Sequence, residues 1–394
     1  MSLLPPDPDR DHRLLSRALD LARAAVGLAS PNPTVGCVLA NGESVLGEGA
    51  HHFDARDHAE IAALKQAAAL GHNVQGATAY VTLEPCAHHG RTGPCADALI
   101  AARISRCVVA TADPNPLVRG QGLAKLRAAG VAVELADPAS ALAMQARRLN
   151  DAFAFSIQHG RPFITLKAAV SLDGMIAPAN RSRREPVWIT GPAARMDVQT
   201  LRHASDAILT GIGTILADNP ALTDRTGLPR RRPLLRVILD SNLRTPFDAQ
   251  VAASVTEDLL LFTSEHASSQ AESLQRLQRA QIQRLPESAP GQIDLTAALS
   301  ALHHRDIRSV LVEAGSSLNA AFLESALVDR VTLYFAEFEL GLDGVPFAKG
   351  LQSPYGLQER LTSLQRTEIP HADNSTLEDI RISGYLHDPW LNID

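Results

Sequence analysis

Residues 12–25 read HRLLSRALDLARAA, and Leu14, Leu15, Ala18, Leu21 and Ala22 recur there at the spacing of one helix face. An amphipathic first helix is predicted. Short apolar runs follow at 35–39, 45–48, 78–83, 107–111 and 131–135, and helical stretches at about 58–70, 94–102 and 120–129 alternate with most of them. Such alternation predicts an α/β layer sandwich with a largely covered sheet, ending near residue 150. The segment SIQHGRP, 156–162, carries Gly and Pro after a helix and reads as a linker. A second alternating unit then begins. Its strands are expected at 163–170, 206–210, 234–239, 258–262, 309–312 and 330–336, and its helices at 191–203, 294–303 and 316–326. The expectation is two α/β domains, 1–150 and 160–394, with no internal repeat.

Length agrees with that division, since 394 residues exceed what one growing core usually serves. Charge narrows the partners. A net charge of −6 argues against coating nucleic acid or an anionic membrane, because both tasks need a basic face. The run LPRRRP at 228–233 reads as a solvated basic loop. No stretch reaches the ~18 to 20 apolar residues of a membrane span, and MSLLPPDPDRDH lacks the basic start and apolar run of a secretory signal. A cytoplasmic location is expected. Four cysteines, Cys37, Cys86, Cys95 and Cys107, are too few for a disulfide framework in so long a chain, which leaves metal binding or burial.

Two of these cysteines change the picture. Cys86 and Cys95 close the segment EPCAHHGRTGPC, and His58 stands upstream in DHAEIAALKQAAAL. Together they form the Cys2His set of a catalytic zinc, which leaves a fourth position for water. Two thiolates and a neutral imidazole balance the 2+ charge. Glu60 lies in the first turn of the alanine-rich helix and is placed to shuttle protons beside the metal rather than to bind it. Cys95 follows Gly93 and Pro94, a helix-start signal, and a helix N-terminus lowers a thiol pKa. His-x-Glu, then Pro-Cys, then a second Cys is the layout of zinc nucleobase deaminases. Their signature has two residues between the cysteines, whereas this chain has the longer AHHGRTGP. Other readings are a buried or redox thiol pair, and a closed structural zinc with His88 or His89 as fourth ligand. Cys37 and Cys107 lie in apolar runs and read as core. The second half carries no full G-x-G-x-x-G: TGIGTIL places Leu216 where the third glycine belongs.

The blocks SPNPTVGCV, GEGAHH, HAE, YVTLEPCAHHGRTGPC and ADPNP, followed by LKAAVSLDG, WITGPAARMDV, AILTGIGTILADNPALTDR and VEAGSSL, resemble the bifunctional riboflavin-biosynthesis deaminase/reductases of bacteria, over roughly residues 10 to 345. The resemblance implies a cytidine-deaminase-like three-layer α/β/α domain followed by a dihydrofolate-reductase-like α/β domain. It also implies two steps on a phosphorylated pyrimidine: zinc-dependent hydrolytic loss of the 2-amino group, then NADPH reduction of the ribosyl to a ribityl chain. Carried over by position, Asn32 and His51 contact the pyrimidine or ribose, and His88 and Arg91 help hold the ribose phosphate. In the second domain Lys167 is the catalytic candidate, Arg195, Leu222, Arg225 and Glu313 match substrate contacts, and Val170, Trp188, Thr214, Asp218, Ser241 and Gly315 match cofactor contacts. Gly211 and Gly213 would let a backbone approach the cofactor phosphate. A homo-oligomer, dimer or tetramer, is expected.

Two stretches depart from the family pattern. MIAPANRSRREPV is longer than usual and puts Pro186 where a substrate-binding serine is common, and YFAEFELGLDGVPF lacks the usual proline and lysine. Three alternatives therefore stand: an active deaminase with an impaired reductase, a nucleobase deaminase with another substrate, and a zinc-stabilised binding protein without catalysis.

Overall fold

Asp7 accepts the amides of Asp9 and Arg10 and so starts α1 (Pro8–Ala24), with proline in its first turn. The computed structural model describes residues 7–88, 93–179, 187–253, 257–267, 280–351, 353–370 and 378–391. It divides into two units. One comprises residues 1–159 with 229–232 and 389–394, and the other 160–228 with 233–388.

In the first unit, β1 (Gly36–Asn41), β2 (Ser44–Ala50), β3 (Thr78–Val81), β4 (Arg106–Val109) and β5 (Ala132–Leu135) form a sheet in the order β2-β1-β3-β4-β5. β1 runs antiparallel to both neighbours, and β3, β4 and β5 are mutually parallel. α2 (Ala59–Ala69), α3 (Cys95–Ala101) and α4 (Gln121–Ala128) bury Ala59, Ala63, Leu99 and Leu126 on one face. On the other face α1 and α5 (Ala141–Leu149) bury Leu15, Leu19, Leu142 and Ala146. The outcome is three layers, α/β/α. Close approach sets their spacing: a Cβ on Gly36 would lie 2.0 Å from the Ala18 carbonyl oxygen, so α1 sits directly on β1. Cys37 and Cys107 are fully buried in this core.

α6 (Asp151–His159) corrects the linker reading, because Ser156–His159 are helical and Ala154, Phe155 and Ser156 are buried. Apolar burial outweighed the Gly-Pro signal, which acts only from Gly160 onward.

The second unit contains β6 (Phe163–Ser171), β7 (Met175–Ala177), α7 (Pro192–His203), β8 (Ala207–Gly211), α8 (Ile212–Asp218), β9 (Leu235–Leu239), α9 (Gln250–Ala253) and β10 (Leu259–Ser264). After these come β11 (Gln281–Leu285), β12 (Glu287–Ala289), β13 (Gln292–Ile293), α10 (Leu295–His303), β14 (Ser309–Val312), α11 (Ser316–Glu324), β15 (Arg330–Ala336), β16 (Val345–Pro346), α12 (Pro354–Gln358), β17 (Thr362–Pro370) and β18 (Glu378–Tyr385). Among the described residues the large sheet has the order β11-β10-β9-β8-β14-β6-β15-β18-β17. From β11 to β15 all pairings are parallel, and the β18 and β17 pairings are antiparallel. Burial alternates along β6: Leu166, Ala168 and Val170 enter the core, while Lys167 and Ala169 face the other way.

Candidate active sites

The metal-ligating group assembles where α2 and α3 begin and β3 has just ended. His58 is the N-cap of α2, Cys86 lies five residues beyond the end of β3, and Cys95 opens α3. Their donor atoms all lie within 4.8 Å of one another, with His58 Nδ1 3.5 Å from Cys86 Sγ and 3.2 Å from Cys95 Sγ. Ligands around a tetrahedral zinc stand about 3.5 Å apart, so this donor set fits the ion in both spacing and chemistry. The Cys95 amide donates to Cys86 Sγ at 3.3 Å, an oriented helix N–H that favours thiolate. The Cys95 thiol, and then His58 and that amide, hold Cys86 down at about 4; its own proton, shared with Cys86, keeps the Cys95 thiol up. Glu60, in the first turn of α2, is 3 % exposed and stays outside the ligating group. Burial raises its carboxyl to about 7.

Two predicted substrate residues join this pocket. The Asp57 carbonyl accepts from His51 Nδ1 at 2.8 Å, so the other ring nitrogen, Nε2, accepts from Asn32 Nδ2 at 3.0 Å. The His51 and His58 rings meet edge to face at 5.3 Å. Burial lowers the His51 pKa, which keeps this ring neutral. His88 is exposed and outside the ligating group, so among the described residues it does not close a fourth metal position. His89 and Arg91 lie outside the described residues.

Glu84 was missed in the sequence reading. Its buried carboxylate accepts four backbone amides: Asp113 (3.1 Å) and Gly120 (2.9 Å) at Oε2, and Gly122 (2.9 Å) and Leu123 (3.3 Å) at Oε1. It ties the loop after β4 and the first turn of α4 to the segment carrying Cys86. Gly122 is required here, since a Cβ would stand 1.8 Å from the Pro85 carbonyl oxygen. A lone glutamate before Pro-Cys gives no periodic signal, although the free amides at a buried helix start call for an acceptor.

In the second unit one cleft is lined by Lys167, Trp188, Arg195, Thr214, Asp218, Arg225, Glu313 and Gly315, and Leu222 lines its continuation. Glu313, just past β14, accepts Arg202 Nε at 2.7 Å and Nη2 at 2.9 Å, whereas Lys167 Nζ stands 3.8 Å away. Burial alone would raise the Glu313 carboxyl, but Lys167 and then Arg202 outweigh it and hold it at about 2. Burial lowers the Lys167 pKa, with Glu313 opposing and Arg202 adding to the shift. The Arg195 guanidinium stacks 4.7 Å over the exposed Trp188 ring and donates to the Thr190 carbonyl at 2.8 Å. Leu222 is buried at φ 54°, and Arg225 is exposed. Arg202 was also missed. Its spacing of seven from Arg195 on α7 puts both on one helix face, a signal the sequence did contain.

A second cleft, sharing Thr214 and Gly315 with the first, is lined by Gly211, Gly213, Ser241 and Ser316 at the carboxyl ends of β8, β9 and β14. Crevices at parallel strand ends are where nucleotides bind. The site suits a dinucleotide phosphate: Ser316 Oγ at the start of α11 is buried without a partner among the described residues, and a Cβ on Gly213 would meet nothing within 4 Å. Gly211 and Gly213 thus supply room rather than a positive φ. Val170 does not join the other predicted cofactor contacts. Three residues after Lys167, it points to the opposite face of β6 and is fully buried in the core. Pro186 lies outside the described residues.

Family-wide sequence profiles match both units: "Cytidine and deoxycytidylate deaminase zinc-binding region" over residues 8–111, and "RibD C-terminal domain" over 162–374. Among curated relatives, the riboflavin biosynthesis protein RibD of Escherichia coli (strain K12) is 40% identical over 362 residues, 89% of this chain and 93% of that protein. RibD of Bacillus amyloliquefaciens is 38% identical over 90% of this chain and 92% of its own. Among solved structures, Acinetobacter baumannii RibD (form 1) superposes with a TM-score of 0.76 at 34% identity, covering 96% of this chain and 99% of that one. A diaminohydroxyphosphoribosylaminopyrimidine deaminase/5-amino-6-(5-phosphoribosylamino)uracil reductase from Thermotoga maritima gives a TM-score of 0.77 at 31% identity with the same coverage.

Proposed function

The chain belongs to the RibD family of riboflavin-biosynthesis proteins, and from that premise we propose which of its residues perform each reaction. It is a bifunctional enzyme, a zinc-dependent deaminase joined to an NADPH-dependent reductase. In our reading the substrate is 2,5-diamino-6-(5-phosphoribosylamino)pyrimidin-4(3H)-one. Water replaces its 2-amino group, ammonia leaves, and the ribosyl of the product is then reduced to ribityl.

His58, Cys86 and Cys95 would hold the zinc, which when bound supplies the Lewis acidity that makes water a nucleophile near neutral pH. Glu60, buried beside the ligands and outside their set, takes a proton from the incoming water and delivers it to the departing amino group. Asn32, oriented by neutral His51, presents its remaining amide hydrogen and carbonyl oxygen to the pyrimidine edge. His88 and Arg91 are assigned to the ribose phosphate.

Trp188, Thr214, Asp218, Ser241 and Gly315 would hold NADPH, which when bound would supply the hydride for C1. Lys167 Nζ protonates the sugar oxygen as C1 is reduced, and Glu313 beside it orients the substrate. Arg195 and Arg225 would clamp the phosphate, and Leu222 would pack against the substrate. Cytoplasmic residence, as a dimer or tetramer, completes the reading; the described cysteines are all free thiols, as a reducing compartment would keep them.

The observation that carries this function is a three-ligand metal set with a buried carboxylic acid beside it and outside it. The test gives zinc-loaded protein the diaminopyrimidine ribosyl phosphate and follows ammonia with and without NADPH, together with NADPH oxidation. Ammonia released without NADPH, then oxidation on its addition, is the expected result. Ammonia without oxidation would leave a deaminase with an impaired reductase, and no ammonia would sink the assigned substrate.

A further inference from the structure

We propose that Arg231 is a positioning residue of the deaminase: delivered from far along the chain, it clamps together the two segments that carry Asn32 and His51. This role rests on the reading of those two residues as pyrimidine or ribose contacts, and it adds a residue outside the sequence blocks that carry the family resemblance.

The run LPRRRP reads in sequence as a solvated basic loop, and the structure corrects that reading for Arg231. Residues 229–232 belong to the first unit, although the chain reaches them only between α8 and β9. Arg230 Nε donates to the Arg232 carbonyl at 3.2 Å, which curls the segment around its middle residue. The Arg231 side chain is 23 % exposed. Its amide donates to the Gly27 carbonyl at 2.9 Å, its Nη1 donates to the Ser30 carbonyl at 3.0 Å, and its guanidinium lies 3.9 Å over the Phe53 ring. Nε also reaches Asp54 Oδ1 at 3.3 Å. That carboxylate is 74 % exposed, so water and salt screen the pair, and the ring stack and the two carbonyls carry the contact.

The placement of these contacts gives them a role in the pocket. Ser30 stands two residues before Asn32, and Phe53 stands two residues after His51. Arg231 bridges Ser30 to Phe53; two residues along each segment, Asn32 Nδ2 meets His51 Nε2 at 3.0 Å. The turn between is held locally by single backbone bonds, from the Asn32 amide to the Ala29 carbonyl at 3.1 Å and from the Phe53 amide to the Leu28 carbonyl at 3.0 Å. Beyond Asn32 the chain is fixed separately. Buried Asn150 accepts the Thr34 amide at 2.7 Å and donates to the Thr34 carbonyl at 3.0 Å.

Asn32 is therefore aimed from both flanks, by Asn150 on one side and Arg231 on the other. A carboxamide that must offer a donor and an acceptor to one base edge loses affinity and discrimination when its backbone can drift. The guanidinium suits this task because its planar face lies on the Phe53 ring while its edge donates to a carbonyl. A lysine would keep the charge and lose that combination.

The test uses full-length, zinc-loaded protein and the variants R231A, R231K, N32A and N32A/R231A. With the diaminopyrimidine ribosyl phosphate, R231A should lose on the order of 10-fold in kcat/KM for ammonia release, the worth of a ring stack and a carbonyl bond. The loss should fall in KM, because Asn32 holds the pyrimidine in ground state and transition state alike. R231K should recover part of it. Since Arg231 acts through Asn32, the double variant should be no worse than N32A alone, whereas independent effects would multiply. Zinc content, and NADPH oxidation with the deaminated substrate, should stay at wild-type level in the Arg231 variants, showing that both units fold. A second readout needs no substrate: in hydrogen exchange followed by mass spectrometry, peptides covering 26–34 and 51–56 should exchange several-fold faster in R231A, with the strands of the first sheet unchanged. Wild-type KM in R231A, multiplying losses in the double variant, or unchanged exchange overturns the proposal. If the wild-type protein releases no ammonia from this substrate, the assigned reaction fails instead, and the exchange rates still decide the role of Arg231.

Discussion

Replacing Glu84 with glutamine tests whether one carboxylate braces the metal pocket. Each oxygen now accepts two amides, at 2.9 to 3.3 Å, inside a site where the side chain is 5 % exposed. Glutamine keeps one acceptor oxygen and turns an NH2 toward the other pair, so two hydrogen bonds are lost and donors face donors. At about 1.5 to 3 kcal/mol for each bond to a charged group, the expected cost is roughly 3 to 6 kcal/mol. Loss of negative charge at the start of α4 adds a few tenths. For a unit of this size about 1 kcal/mol moves a thermal midpoint by ~2 to 4 °C, so a fall of roughly 10 °C is expected. The assay is the temperature at which the protein gives up zinc to a colorimetric chelator, which reports on the first unit alone. An E84Q midpoint within about 2 °C of wild type would refute the reasoning, because the four amides would then be satisfied without the carboxylate.

Three further outcomes follow from the two sites. E60Q should cut ammonia release by at least ~100-fold while NADPH oxidation with the deaminated substrate continues, measured in the same preparation. K167M should do the converse. In the unmodified enzyme, Lys167 works protonated and burial lowers its pKa, so reductase activity should fall as pH rises through a value below that of an exposed lysine; a limb at the ordinary lysine value would contradict the burial argument. Stripping zinc with a chelator should abolish ammonia release and spare the reductase, and the metal should leave more readily on acidification because its ligands must be deprotonated.

The metal pocket was legible because its ligands carry scarce chemistry at short spacing: His58 with Glu60, and two prolines each beside a cysteine. Most parallel strands of the second unit were legible as apolar runs; β11, the polar-rich QIQRL, escaped. β17 was not legible either, since Thr362–Pro370 is an exposed edge strand with no apolar face to betray it. TGIGTIL was weighed only as a glycine motif for a phosphate, and the short helix α8 within it shows only in the structure. Val170 illustrates a different point: position in a motif carries no record of the two-residue alternation of a strand, which turns its side chain into the core. Glu84 and Arg202 escaped because their importance lies in partners far along the chain. Nothing near Arg202 in sequence announces Glu313, and nothing near Glu84 announces Gly122.

The order of strands in the large sheet bears on how the chain is made. β6 emerges first among them, yet its neighbours in the sheet are β14 and β15, which are synthesised much later. On the ribosome its apolar face must wait while β8 to β11 are added, a period in which it needs shelter from other nascent strands. The zinc ligands, by contrast, are all delivered between His58 and Cys95. Translation therefore delivers the metal ligands before the centre of the large sheet, and a ribosome stalled before residue 309 would hold a chain whose deaminase ligands are all present while the sheet bearing Lys167 still lacks its centre.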